Sequence, residues 1–484
     1  MSDTVFALGL SGLQDFVYDV EAEDAARRLR IRSAILTLAP ALVASRLRQL
    51  TQPGLEPYYL GGGQLLTSCS SQALSQIEPE LRSLQEWLLV HSAGRILLYW
   101  TSVPRSDDVK NDLQEIIRAV LRAKWQSGRH QSEWLAHASR LDPLDPKRGA
   151  LGDPQWEADI GRELVRAGGF TGFRLVNGGD GWPVGPWMVQ PVSDGESDIR
   201  IQQGADDLGI VIGLPTHVPT YQTGDIIPFD QMAAQGTGAS YLAALKLDGD
   251  HMGKSMAAAL AQSADEYLSR SRAVRAFFAV TVPRLFRDEF PNVYLIYSGG
   301  DDLAAVGHFH DLLRAAYRIN QEYSQQGLGT LSAGITAFHR KSPVRLAMDV
   351  ANNLLEGHAK KDRNRVCVFG ETLTWDQLDV VIREAEVLAQ SVEQEPDGLP
   401  RGMLQLLMQL DSLYTSQIDW LKKVRFRAFP LIQYFRARRL KAEGLSTEAA
   451  TIFYNLEGGH DPTWNRIGLV ALLAAWLTKP QENE

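Results

Sequence analysis

Read for hydrophobic and polar positions, the chain gives the same order of elements twice and then turns helical. The first copy opens with VFALGLSGLQDFVYDV, an apolar strand running directly into Ser11-Gly12, with helical character from Leu13. RRLRIRSAILTLAPALVASRL follows with apolar residues at helical spacing, and EPYYLGGGQLLTSCS reads as aromatic strand, glycine turn and apolar strand. QIEPELRSLQEWLLVHSAGRILLYWTS then supplies a helix and another strand. In the second copy the apolar run Leu242–Leu247 predicts a buried strand, and Val293–Tyr297 and Leu303–Val306 flank a Ser-Gly-Gly-Asp-Asp turn, which predicts a β-hairpin. A strand from Leu331 to Ala337, a loop ended by Pro343, a helix from about Val344 to Lys361 and a strand from Val366 complete it.

The spacing supports a duplication, because Ser11 precedes Gly61 by 50 positions and Asp248 precedes Gly299 by 51. Aligned on the turns, Gly61-Gly62-Gly63-Gln64 falls on Gly299-Gly300-Asp301-Asp302, and Ser11 falls on Asp248. The acids are thus lost from the first copy. A helix start, with Ser11 capping and Gln14 solvated, is the equally open reading of LSGLQ. Between the copies the helical pattern fades into Trp, Pro and Gly, with room for short strands near Leu208–Ile212. Gly178-Gly179-Asp180 there reads as a turn, since no apolar strand enters it. After Phe369 the pattern is helical to the end, with Thr374 as a candidate cap.

At 484 residues the chain is too long for one core. Its composition, 44% hydrophobic and 22% charged, is that of a soluble protein, and its net charge of -9 argues against a free-standing nucleic-acid binder. Local RNA contact stays open. WLKKVRFRAFPLIQYFRARRLK carries eight basic residues from Lys422 to Lys441 and no acid, so it fits RNA phosphates, an acidic partner or a solvated helix face. Two cysteines, Cys69 and Cys367, make neither a disulfide framework nor a four-ligand zinc site. No leader or membrane run is legible, so a cytoplasmic location is expected.

The chemistry concentrates where strands end in carboxylates. Asp248, Asp250, Asp301 and Asp302 all stand at strand ends or on the turn. If the hairpin pairs with the first strand, these acids converge on a divalent ion such as magnesium or manganese. Gly299 and Gly300 leave no side chain between turn and nucleotide, so a triphosphate can lie against that backbone. Asp-Gly-Asp and Gly-Gly-Asp-Asp taken singly also suit ordinary turns.

LDGDHMGK followed by YSGGDD resembles the catalytic palm of the large subunit of type III CRISPR effector complexes, a polymerase-like nucleotide cyclase. LSGLQDFV looks like the opening of the Cmr-type large subunit in particular. The downstream strand, helix, lysine and Arg-Asn-Arg resemble the same palms and those of diguanylate cyclases. Two departures are visible. Asp362 stands where a Gly usually precedes Arg-Asn, and His251 stands where an Asn is usual.

The resemblance implies an α+β fold with two ferredoxin-like palms. A degenerate palm would span 1–125, a loop-rich inter-palm segment without a cysteine zinc site 126–235, the catalytic palm 236–370 and a helical domain 371–484. It implies nucleotidyl transfer between ATP molecules, or between ATP and another acceptor, yielding a cyclic oligoadenylate-type or related adenylylated messenger on target RNA binding. Asp248, Asp301 and Asp302 would be catalytic and hold Mg²⁺ or Mn²⁺. Gly249, Ser298, Gly299, Gly300, Lys360, Lys361 and Arg365 would face the donor nucleotide, and Ser11, Gly61 and Gly62 the acceptor. Implied partners are a small subunit at the helical domain, backbone subunits, guide RNA and target RNA, without a membrane. No HD nuclease domain is expected before the first palm, and His310-Asp311 and His460-Asp461 read as incidental. The rival readings are a diguanylate-cyclase-like signalling enzyme and a catalytically silent scaffold.

Overall fold

The computed structural model describes residues 3–20, 25–51, 57–92, 94–137, 171–176, 181–193, 196–201, 210–212, 217–223, 225–393, 399–415, 449, 451–452 and 466–479. The basic segment 420–441, the triplet at 178–180 and the dipeptide at 460–461 lie outside the described residues. No described helix is long and apolar enough to cross a membrane.

Both copies fold as β-α-β-β-α-β. In the first, β1 (Asp3–Ser11) leads through α1 (Leu13–Tyr18) and α2 (Ala25–Leu50) to the hairpin β2 (Tyr59–Gly61) and β3 (Gln64–Ser70), then α3 (Ser71–His91) and β4 (Leu97–Pro104). The sheet order β2-β3-β1-β4 puts the opening strand in the middle, as a ferredoxin-like fold requires. A long helix, α4 (Val109–His137), follows. The second copy repeats the order: β10 (Tyr241–Gly249), helices α5 (Met252–Gln262), α6 (Ala264–Ala276) and α7 (Val282–Glu289), the hairpin β11 (Tyr294–Gly299) and β12 (Asp302–His308), α8 (Phe309–Gln325) and β13 (Leu331–His339). Its sheet runs β11-β12-β10-β13 and is extended by β14 (Val366–Val368) and β15 (Glu371–Leu373).

Alternation along the strands explains how the copies meet. On β10, Leu242 and Ala244 belong to the same buried cluster as Phe6, Leu8 and Leu10 of β1. Ala243, Leu245 and Leu247 pack the other way, against Phe309, Leu312 and Ile319 of α8. Successive side chains of a strand point to opposite faces, so one face of each sheet is given to the other palm. Gly334 lets the helix behind β13 approach closely, since a Cβ there would lie 2.1 Å from the carbonyl oxygen of Ala351.

Three details differ from the sequence reading. The region between the palms holds a five-stranded sheet, β6-β7-β5-β8-β9, built from β5 (Gly172–Val176), β6 (Trp182–Val184), β7 (Trp187–Val192), β8 (Ile199–Ile201) and β9 (Val211–Ile212). Strands of two to six residues are too short for a period to show. The sheet docks on the first palm, where the Trp187 indole donates to Glu80 at 2.8 Å. Second, the helix expected to run unbroken to Lys361 is α9 (Val344–Leu354) followed by a π-helical turn, Leu355–Ala359, and one short turn, Lys360–Asp362. Third, β15 pairs antiparallel with β14 after a turn at Phe369 and Gly370, which both adopt positive φ.

In the tail, α10 (Trp375–Glu393), α11 (Arg401–Thr415) and α12 (Ile467–Leu477) are described. Thr374 and Gln377 form a reciprocal cap: the Thr374 hydroxyl accepts from the Gln377 amide at 3.2 Å, and the Gln377 side chain accepts from the Thr374 amide at 2.8 Å. Cys69 and Cys367 are both buried and free.

Candidate active site at the seam of the two palms

Asp248 and Asp302 are direct cross-strand partners on β10 and β12, and the Gly249 amide donates to the Asp301 carbonyl at 2.8 Å. The hairpin therefore pairs with the first strand, and its acidic tip is held against the end of β10. Asp248 and Lys246 share parity with Leu242 and Ala244, so both lie on the face turned to the first palm.

The same pairing in the first palm corrects the alignment made from sequence. There Gly9 is opposite Gln64, and the Leu10 amide donates to the Gly63 carbonyl at 2.9 Å. Gly9 is thus the counterpart of Asp248, and Ser11 is the counterpart of Asp250. Gly12 likewise matches His251: both cap a helix with a left-handed backbone, φ 79° and 56°. His is among the few side chains that tolerate this region, which accommodates it where an Asn is usual. Turn spacing alone misplaced the first strand by two residues because it said nothing of register. At Gly9 the missing side chain's space is filled, since a Cβ there would lie 2.4 Å from the Tyr99 hydroxyl.

Asp250 also departs from expectation. Its carboxylate is buried and engaged, accepting from the Thr330 hydroxyl at 2.9 Å, the Ser332 hydroxyl at 2.8 Å and the Asn364 amide at 2.8 Å, with Arg363 at 3.9 Å. Arg363 and Asn364 both have positive φ. Asp250 therefore pins a strained loop behind the site and does not join the other acids.

The remaining acids repel one another in a half-buried setting. Burial pushes the Asp301 carboxyl up to about 6, with Asp248 and Asp302 adding to the rise. Asp302 is also raised by burial, while Lys246 and Tyr297 pull it back. Asp248 is raised by burial against the opposing pull of Lys360, whose ammonium lies 3.0 Å from Asp248 and 2.7 Å from Glu356. Excess carboxylate charge and all-oxygen donors fit a hard divalent cation. As they stand, no three His, Cys, Asp or Glu among the described residues are close enough to hold one. The Lys360 ammonium occupies one oxygen of Asp248, Oδ2.

A cavity of about 640 Å³ lies along the seam, lined on one side by Gly61, Gly62, Gly63 and Gln64 and on the other by Gly299, Gly300, Asp301 and Asp302. The turns touch: a Cβ on Gly62 would lie 3.5 Å from the Gly300 backbone. Ser298 lines the cavity as well, its hydroxyl donating to the Phe278 carbonyl at 2.6 Å. Of the other expected nucleotide-facing residues, Lys360 reaches the acids, Lys361 is exposed, and Arg365 bonds the Asn364 carbonyl at 2.9 Å. Ser11, Asp248, Gly249, Lys360, Lys361 and Arg365 are not among the cavity residues. His310 donates its chemistry elsewhere, pairing with Glu386 at 2.8 Å.

Several residues were missed from sequence. Lys246 is 2% exposed, with its ammonium 3.5 Å from the Tyr18 hydroxyl of the first palm and 3.4 Å from that of Tyr297. A single charge inside the apolar run, in phase with Asp248, was the available signal. Gln14, which one of the two open readings left solvated, reaches Asp302 at 3.4 Å across the seam. Arg275 of α6 donates to the Leu60 carbonyl at 3.1 Å, and nothing in the sequence marked it.

Comparison with known proteins agrees with this architecture. Residues 241–367 match the model of the Cas10/Cmr2 second palm domain, and residues 4–138 match that of Csm1 subunit domain B. A Cas10/Csm1 single-strand-specific deoxyribonuclease of subtype III-A from Streptococcus thermophilus is 25% identical over 418 residues, covering 76% of this chain and 53% of that protein. The chain thus spans about half the length of that relative. The crystal structure of Csm1 from T. onnurineus superposes with a TM-score of 0.72 at 18% identity, over 99% of this chain and 70% of the other. Csm1–Csm4 cassettes solved with pppApA and with cA3 each superpose at 0.69 and 18% identity, over 99% and 70%. Both palms thus match domains of the Cas10/Csm1/Cmr2 family, and the chain is similar over most of its length to the Csm1-type large subunits of type III CRISPR complexes.

Proposed function

We propose that the seam is a nucleotidyltransferase site that joins ATP into a cyclic oligoadenylate-type product, within an RNA-guided type III complex. The observation that carries this is the asymmetry of the cavity: one glycine turn backed by Asp248, Asp301 and Asp302, facing another with Gly63 and Gln64 in their place. The donor triphosphate lies on the acidic turn and the acceptor on the neutral one. The acceptor 3′-oxygen forms a bond to the donor α-phosphorus, the bond to the β-phosphate oxygen breaks, and pyrophosphate leaves with the proton lost to solvent or a carboxylate. A Mg²⁺ or Mn²⁺ held by Asp248, Asp301 and Asp302 would supply polarisation of the α-phosphate and charge neutralisation of pyrophosphate. The bare backbone of Gly299 and Gly300 lets phosphate oxygens approach, and Lys360, once freed from Asp248, is within the site to meet a phosphate. Csm1 partners and ligands of related cassettes support assembly with other complex subunits and use of adenine nucleotides.

The test is mass spectrometry of products from ATP, and separately GTP, with magnesium, with and without the other subunits, guide RNA and target RNA. Oligoadenylate that disappears in a folded D301A/D302A variant is the expected result. A GTP-derived cyclic dinucleotide would favour the diguanylate-cyclase-like alternative. Absence of product in the full complex would leave the scaffold reading, which the Lys360–Asp248 ion pair favours. The same preparation, assayed for cleavage of single-stranded DNA with manganese, tests the expectation of no HD-type nuclease in this chain.

A further inference from the structure

The neutral turn of the first palm poses an electrostatic problem for the reading just proposed. The turn carries no carboxylate, and the place of Asp248 is taken by Gly9 under the Tyr99 ring, so the turn supplies no acid to gather a metal that would neutralise a phosphate chain. A polyphosphate on this side needs a cation from elsewhere. Among the residues lining the cavity there is one Lys or Arg, Arg275, alongside three acids, Asp15, Asp301 and Asp302.

Arg275 does not belong to the palm it would serve. It projects from α6 of the second palm onto the turn of the first, where its NH1 donates to the Leu60 carbonyl at 3.1 Å. Its Cδ would lie 3.5 Å from a Cβ on Gly61. The buried Nε has no hydrogen-bond partner, and no carboxylate pairs with the guanidinium among the described residues. NH1 is held by the Leu60 carbonyl while the buried Nε has no acceptor, so a small turn of the side chain that uncovers Nε would let the guanidinium meet a phosphate with more than one N–H. We propose that Arg275 is the phosphate ligand of the nucleotide seated on the first palm's turn, supplied in trans by the second palm. This rests on the reading that a nucleotide occupies that turn. It makes acceptor binding independent of divalent metal and dependent on the two palms being docked.

The experiment is calorimetric titration of the full chain in EDTA with a non-hydrolysable ATP analogue and, separately, with adenosine. The Arg275→Met variant is expected to bind the analogue about tenfold or more weakly than the parent chain, because a charge-assisted bidentate contact is lost. Adenosine binding should change by less than about twofold, and Arg275→Lys should fall between for the analogue. Should Arg275→Met fail to fold, Arg275→Gln poses the same question. Unchanged analogue binding, or an equal loss for analogue and adenosine, would overturn the assignment, the latter by showing that Arg275 only props the seam. Arg275-dependent binding in a chain that makes no product would leave this inference standing and overturn nucleotidyl transfer. Product formation with Arg275-independent binding would do the reverse.

Discussion

Asp250 and Asp301 stand in adjacent motifs, yet the structure gives their removal opposite signs. Asp250→Ala deletes the acceptor for Thr330, Ser332 and the Asn364 amide at 2.8–2.9 Å, and Ser332 is 0% exposed. Hydrogen bonds to a charged group contribute about 1.5–3 kcal/mol each, and stranded buried donors add to the loss, so about 4 kcal/mol of local stability is expected to go. Asp301 is raised from 3.8 to about 6, so the folded chain favours its neutral form. The stability tied to that proton is present below about 4 and lost as pH rises to about 6; above this the ionised carboxyl costs about 3 kcal/mol, reduced to about 1–3 by partial exposure. At pH 8 without divalent metal, Asp301→Ala should raise Tm and Asp250→Ala should lower it. Amide hydrogen exchange gives the local readout, since the Asn364 amide should lose protection in Asp250→Ala and keep it in Asp301→Ala. An Asn364 amide equally protected in both variants, with the same order of Tm, would refute the division of labour between the two acids.

Three further outcomes can be measured. Because Asp301 must lose its proton to ligate a metal, the magnesium concentration for half-maximal turnover should rise about tenfold per pH unit below about 6 and level off above it. Lys246→Met removes the cation that pulls Asp302 down, so the acid limb of the pH–rate profile should move to higher pH; an unmoved limb would show that Lys246 acts only in packing. Gly62→Leu puts a side chain against Gly300 on a backbone with φ 55°, and should raise the KM for ATP with metal affinity unchanged, whereas Ser11→Leu should leave that KM alone.

What the sequence determined by itself was whatever is local. The apolar run from Leu242 to Leu247, the glycines at 299 and 300 and the Thr374 cap each specify a strand, a turn or a helix start within a few residues, and the repeat of that order specified a duplication. The short strands between the palms were not legible, because two to six residues carry too little period. Register, partner and burial were decided only in three dimensions. Pairing moved the counterpart of Asp248 from Ser11 to Gly9, and hydrogen bonds to residues 80 or more positions away turned Asp250 from an expected ligand into a strut. The seam follows the same rule. Gln14 meets Asp302, Tyr18 meets Lys246 and Arg275 meets Leu60 across separations of 215 to 288 residues. Such contacts leave no periodic trace in a single chain, because each depends on how two sheets dock and not on the residues beside it.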